Sequence, residues 1–224
     1  AFKELRGAVY RSDGPTVVEL VRGRLTDEVL QLAGDGLFTA ISNGDEGSAE
    51  LGGECAARLR QRRWDGDEEL ADQLEAALGH VATPMLRPLA VDLEQLGSVL
   101  EQDRTIGGGR IDRTTGELWP YGPMFDSLSD DDEDDDEDRW LYVEPVGSRD
   151  GYRDMERFIA VVDDPDIADR LRKAIDGRGA FRRFKDVLSR WPDLLQHHYQ
   201  MSDERKRGRA RSWLADKGYG ARAR

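Results

Sequence analysis

Gly177-Arg178-Gly179-Ala180-Phe181-Arg182-Arg183-Phe184-Lys185-Asp186 reads as a tight turn that opens a helix. The two glycines supply backbone freedom where one helix must end and another begin. Phe181, Phe184 and Leu188 then fall at i, i+3 and i+7, the spacing of one helical face, and are expected in the core. Gly177 is the expected C-cap of a helix over 165–175. Further helices are expected over 150–162, 179–190 and from about 194 to 216.

Upstream the pattern changes. Arg110-Ile111-Asp112-Arg113 and Glu117-Leu118-Trp119-Pro120 flank Thr114-Thr115-Gly116, which reads as a hairpin with Gly116 in the left-handed region. Arg139-Trp140-Leu141-Tyr142-Val143 is a third strand candidate, enough for a small sheet if helices cover it. Asp92 starts a helix carrying Leu93, Leu96 and Leu100. The first 80 residues read as short helices. Thr26 is the expected N-cap of one whose course breaks near Gly34 and Gly36. Another runs over 49–63 with Leu51, Cys55 and Leu59 at spacing four, and Asp67 caps the next. The fold class is α+β and predominantly helical: a helical region over 1–82, a linker over 83–89, an α+β part over 90–219, and a basic tail over 220–224.

Composition narrows the function. Only 38% of the 224 residues are apolar and 35% are charged, which suits helices with one buried face. The chain carries 33 basic and 46 acidic residues, a net of −13. From Ala168 onward the balance reverses, with 16 Lys/Arg against 7 Asp/Glu. That asymmetry makes nucleic acid or another polyanion a candidate partner of the C-terminal part. Nine consecutive acids, Asp130–Asp138, sit inside an acidic loop over 126–138. Such a run repels itself and is expected to stay without fixed structure. It could compete with an anionic partner for the basic cluster. Cys55 is the only cysteine, which excludes an intramolecular disulfide and a cysteine-based zinc site. With no apolar signal-like start and no membrane-length apolar run, a soluble cytoplasmic protein is expected.

Four segments carry a family resemblance. Ile111-Asp112 with Thr115-Gly116-Glu117, the helix with Tyr152, Met155, Glu156 and Phe158, the Gly177–Asp186 signature, and Tyr199 with Trp213-Leu214 together resemble uncharacterised protein family 0158 over roughly 89–219. The resemblance implies a bacterial lineage but no catalytic residue.

Two candidate sites follow. Arg182, Arg183 and Lys185 beside the helix start, with Arg205, Arg207, Arg209 and Arg211 further on, form the candidate anion-binding set. Trp119, Tyr121, Trp140 and Tyr142 alternate along adjacent strand candidates. One of each pair is expected to pack under helices. The alternative is a stacking platform for a small aromatic ligand, bases or a protein partner. His197-His198 point to different sides of a helix and make a poor metal site, so neither metal nor cofactor is expected. No P-loop, nucleophile elbow or set of nucleophile, base and orienter can be assembled. A non-catalytic binding protein is therefore expected, with a polyanion favoured.

Overall fold

The computed structural model describes residues 2–105, 107–121 and 138–222. The acidic run, apart from Asp138, and the last two tail residues lie outside them. In the N-terminal part, α1 (Phe2–Tyr10), α2 (Gly14–Val21), α3 (Leu30–Asn43), α4 (Ser48–Arg62) and α5 (Asp67–Ala77) bury a shared core that includes Val17, Leu30, Leu37, Leu59 and Leu70. Helices this short are marginal alone and hold because their apolar faces meet.

Three local expectations need correction. Helix α3 runs unbroken through Gly34 and Gly36, which serve close packing instead of a break. A β-carbon on Gly34 would sit 2.6 Å from the Leu70 side chain, and one on Gly36 2.8 Å from Val17. Thr26 does not cap α3, which begins four residues later behind Val29 and has no side-chain cap from its own segment. Asp67 is not the N-cap of α5, a position held by Gly66. Its carboxylate accepts from the Trp64 amide at 2.8 Å and from Arg62.

Downstream lie β1 (Arg87–Leu89), α6 (Leu93–Leu100), β2 (Gly109–Asp112), β3 (Leu118–Pro120) and β4 (Trp140–Val143). Asp92 caps α6 as expected, accepting from the Glu94 and Gln95 amides at 2.8 and 3.1 Å. Strands β3-β2-β4 form an antiparallel sheet with β2 in the middle. The β2–β3 turn is built by Asp112, which accepts from the Thr114 and Thr115 amides at 2.7 and 3.2 Å and from Arg139 Nε at 2.9 Å. The Thr114 hydroxyl and these partners hold its carboxyl well below the usual range. Gly116 takes φ 75° and its backbone approaches Ala90, so the turn residues of the family resemblance do structural work.

Helices α7 (Arg149–Ala160), α8 (Pro165–Ile175) and α9 (Ala180–Leu188) lead to the 25-residue α10 (Pro192–Asp216) and β5 (Tyr219–Ala221). β5 pairs in parallel with β1, so residues read as linker and tail close a two-stranded sheet. In the signature, Gly177 and Gly179 have φ 75° and 79°. Phe184 and Leu188 are buried beside Phe158, Leu171 and Met201. Phe181 departs from the expected core face: it is 39% exposed and lies at the edge against Gly151.

Helix α10 is the axis of the molecule. His198, Met201, Glu204, Gly208 and Arg211 recur at steps of three and four and are buried, and Ala210 and Leu214 join the sheet's core. It packs on α3, α5, α6, α7 and α9 together, which explains why it lacks a single apolar stripe.

Candidate functional site

The basic run on α10 is internally neutralised, which corrects the expectation of an open anion-binding face. Side chains from an α-helix radiate at about 100° per residue, so a basic run on a surrounded helix reaches several neighbours. Arg205 Nε lies 3.6 Å from Asp154, and its guanidinium stacks on Trp64 at 3.8 Å. Arg207 reaches Asp35 at 2.9 Å and Glu94 at 2.5 Å. Arg209 reaches Glu101 at 2.5 Å and Asp154 at 2.8 Å. Arg211, 1% exposed, pairs with Asp35 and donates to Gln31 and Gln73 at 2.9 and 3.0 Å. Removing these cations from their acids to meet a phosphate would leave buried carboxylates unpaired, a cost of several kcal/mol.

The signature cations divide. Arg183 donates to the carbonyls of Ala174 at 3.1 Å, Asp176 at 2.5 Å and Arg178, where α8 runs out of helical partners. It is a clamp on the turn and not an anion receptor. Lys185 hovers over the Tyr199 ring at 5.9 Å. Arg182 is exposed and faces Asp186 at 3.8 Å. The three cations do not converge. His197 lies 3.5 Å from Glu28, while His198 is buried between Phe158 and Phe184 at ring distances of 5.1 and 4.9 Å. Cys55 is buried under α3, where desolvation pushes its thiol well above the ordinary range.

The aromatic strand residues do converge. Directly opposite residues of an antiparallel pair share a face, as do residues two apart on a strand. Ile111 pairs with Leu118 and Leu141, and these three with Val143 turn inward to Leu96, Leu100 and Leu214. Arg110 pairs with Trp119 on one side and Tyr142 on the other, so this row faces away from the helices. Trp140 lies two residues from Tyr142, and Tyr121 two from Trp119, on the same side. The expectation that one ring of each pair packs under helices is thus corrected: both pairs lie on the outer face, where Trp140 is buried and Tyr121 and Tyr142 are open.

Tyr121 and Tyr142 are 45% and 54% exposed. Trp140 is covered by two guanidiniums, Arg110 at 4.0 Å and Arg139 at 4.9 Å. The Tyr121 phenol is raised by partial burial and by Tyr142, with Arg110 opposing, which places the three groups in electrostatic reach. Gly108 gives Tyr121 room, since a β-carbon there would come within 3.3 Å of the ring. Arg110 was not singled out in the sequence. Its alternation with Ile111 in a strand flanked by two aromatic strands was the available signal.

These features define a predominantly helical α+β protein with two small sheets, the three-stranded one carrying rings around an arginine on its outer face. Residues 122–223 match the model of the Uncharacterised protein family (UPF0158), so the resemblance carried by the signature is borne out for that part of the chain. A similar relative is "UPF0158 protein PA5073" of Pseudomonas aeruginosa, 26% identical over 136 residues, which cover 58% of this chain and 85% of that protein. No solved structure matches the chain significantly. Among the described residues no helix is long and apolar enough to cross a membrane.

Proposed function

We propose that this is a non-catalytic binding protein whose binding surface is the outer face of the β3-β2-β4 sheet, and that it stacks a flat ring system there. One observation carries the reading. The strand register sets Trp119, Arg110 and Tyr142 in a single row, with Tyr121 and Trp140 beside it, on the side of the sheet opposite the core that packs on the described helices. Stacking on exposed aromatic rings contributes about 1–3 kcal/mol per ring system and tolerates many ligands, because every flat ligand has a π-face. A polyanion contact through α10 has no comparable support, since its arginines already have acids.

The test is a titration with adenosine and lumichrome, two uncharged flat ring systems, followed by tryptophan fluorescence. Saturable quenching is expected, and it should fall at least tenfold in affinity in the Tyr121→Ala/Tyr142→Ala variant. Both side chains are about half exposed, so this variant should melt within a few degrees of the parent. Equal binding by parent and variant would overturn the reading.

A further inference from the structure

Resting on that reading, the geometry points to a narrower ligand: we infer that the sheet face takes a mononucleotide, with the base on the tyrosine rings and its phosphate on Arg110. The inference starts from how this chain treats its arginines. Arg62, Arg207, Arg209 and Arg211, all substantially buried, each contact at least one carboxylate within 3.0 Å. Arg139, on the same indole as Arg110, is bound to Asp112 at 2.9 Å. Arg110 is half-buried on the middle strand, yet among the described residues no carboxylate pairs with it. Its guanidinium lies over the Trp140 ring at 4.0 Å.

A guanidinium stacked on an indole uses its face and keeps its in-plane N–H groups free. Those donors match two oxygens of a phosphate or carboxylate at once. Stacking also holds the fork in place before a ligand arrives, which reduces the ordering cost of binding. The register then sets the rest of the ligand. Tyr142 lies directly across from Arg110, and Tyr121 is near enough for its phenol to feel both. A molecule with one anionic group next to one or two flat rings would meet all three. A nucleotide has that composition.

The same face argues against a long single strand. A strand-binding groove needs a track of cations, because its affinity scales with the number of phosphates neutralised. Among the described residues, Arg110 stands beside an Arg139 that is already committed to Asp112, on a chain of net charge −13. One unpaired fork fits one phosphate.

The experiment compares AMP, adenosine and a six-nucleotide oligoadenylate on the full chain, at low and at physiological salt. AMP is expected to bind at least tenfold more tightly than adenosine. Arg110→Gln should weaken AMP at least tenfold, to about the affinity of adenosine. If that variant folds poorly, Arg110→Lys keeps the charge without the fork and should fall between the two. Equal binding of AMP and adenosine by the parent would overturn the nucleotide assignment and leave the stacking surface standing. Oligoadenylate binding tenfold tighter than AMP, with a steep loss on adding salt, would overturn it in favour of a single strand. Binding of none of the three would remove both the assignment and the surface.

Discussion

Gly66 and Gly208 meet backbone against backbone. A β-carbon on Gly66 would lie 2.7 Å from the α-carbon of Gly208, and one on Gly208 would press into the carbonyl of Asp65. The N-terminal helices therefore seat on α10 at a contact that admits no side chain from either partner. Gly208→Ala should destabilise the protein by about 3 kcal/mol, because the backbone has to move. The same change at Gly53, where the nearest atom to a new β-carbon is Leu78 at 4.0 Å, should stabilise α4 by up to about 1 kcal/mol. Opposite signs for one chemical substitution, read from urea unfolding of the two variants, check this.

Beside that contact, Glu204 of α10 performs for α3 what no residue of its own segment does. Its carboxylate accepts from the Gln31 amide and, at 3.4 Å, from the Leu32 amide, and pairs with Arg62 at 3.0 Å. Arg62 in turn holds Asp67 at 2.6 Å. Truncating Glu204 to Ala should cost about 3–5 kcal/mol, since it removes one of the two buried carboxylates that hold Arg62 and uncaps a helix. Arg62→Met should cost a similar amount. The double variant should cost clearly less than the sum, because both single changes break the same Arg62–Glu204 pair. Strict additivity in a double-mutant cycle would show that the two act independently.

How much of this was legible depends on distance along the chain. Asp92 before Leu93 acts within a few residues, so its cap could be read directly, whereas the C-cap of α8 is Asp176, one residue before the Gly177 expected in that role. The hairpin around Gly116 was equally local. The fate of Arg205, Arg207, Arg209 and Arg211 was not, because their acids come from Asp35, Glu94, Glu101 and Asp154, each more than 50 residues away. A sum of charge over a segment cannot show which cations already have partners. The alternation of Trp119 with Tyr121 and of Trp140 with Tyr142 was visible. That both pairs share one outer face depends on register, which composition does not encode.

Arg183 makes the signature's middle arginine a structural requirement. It donates to carbonyls at the end of α8 that would otherwise lack helical partners. Arg183→Ala should lower stability by about 1.5–3 kcal/mol, the range for a lost charged hydrogen-bond donor. Arg183→Lys should recover little, because an ammonium cannot span several carbonyls as a planar fork does. Arg182→Ala, at an exposed side chain that faces Asp186 at 3.8 Å, should change stability by less than about 0.5 kcal/mol. Thermal melts of the three variants separate these roles, and full rescue by lysine would refute the clamp.

His198 supplies a pH dependence with a definite sign. It is 6% exposed between Phe158 and Phe184, and burial, reinforced by Lys185, Lys206 and His197, brings its imidazole down to about 4. In the unfolded chain it titrates near 6.5, so between those values the unfolded state binds the extra proton. The contribution of neutral His198 is therefore fully present above about pH 6.5 and is lost as pH falls toward 4, at up to about 1.4 kcal/mol per pH unit. Burial pushes the Asp154 carboxyl above its ordinary value, while Glu28, facing His197, is held below its own, so Asp154 is the carboxylate that can bend the curve from above. His198→Phe removes only the histidine's share and keeps an aromatic ring against Phe158 and Phe184. Urea unfolding at pH 7.0, 6.0 and 5.0 should show a fall in stability for the parent and a flatter profile for His198→Phe. Parallel profiles would mean that the imidazole is not held neutral by its surroundings.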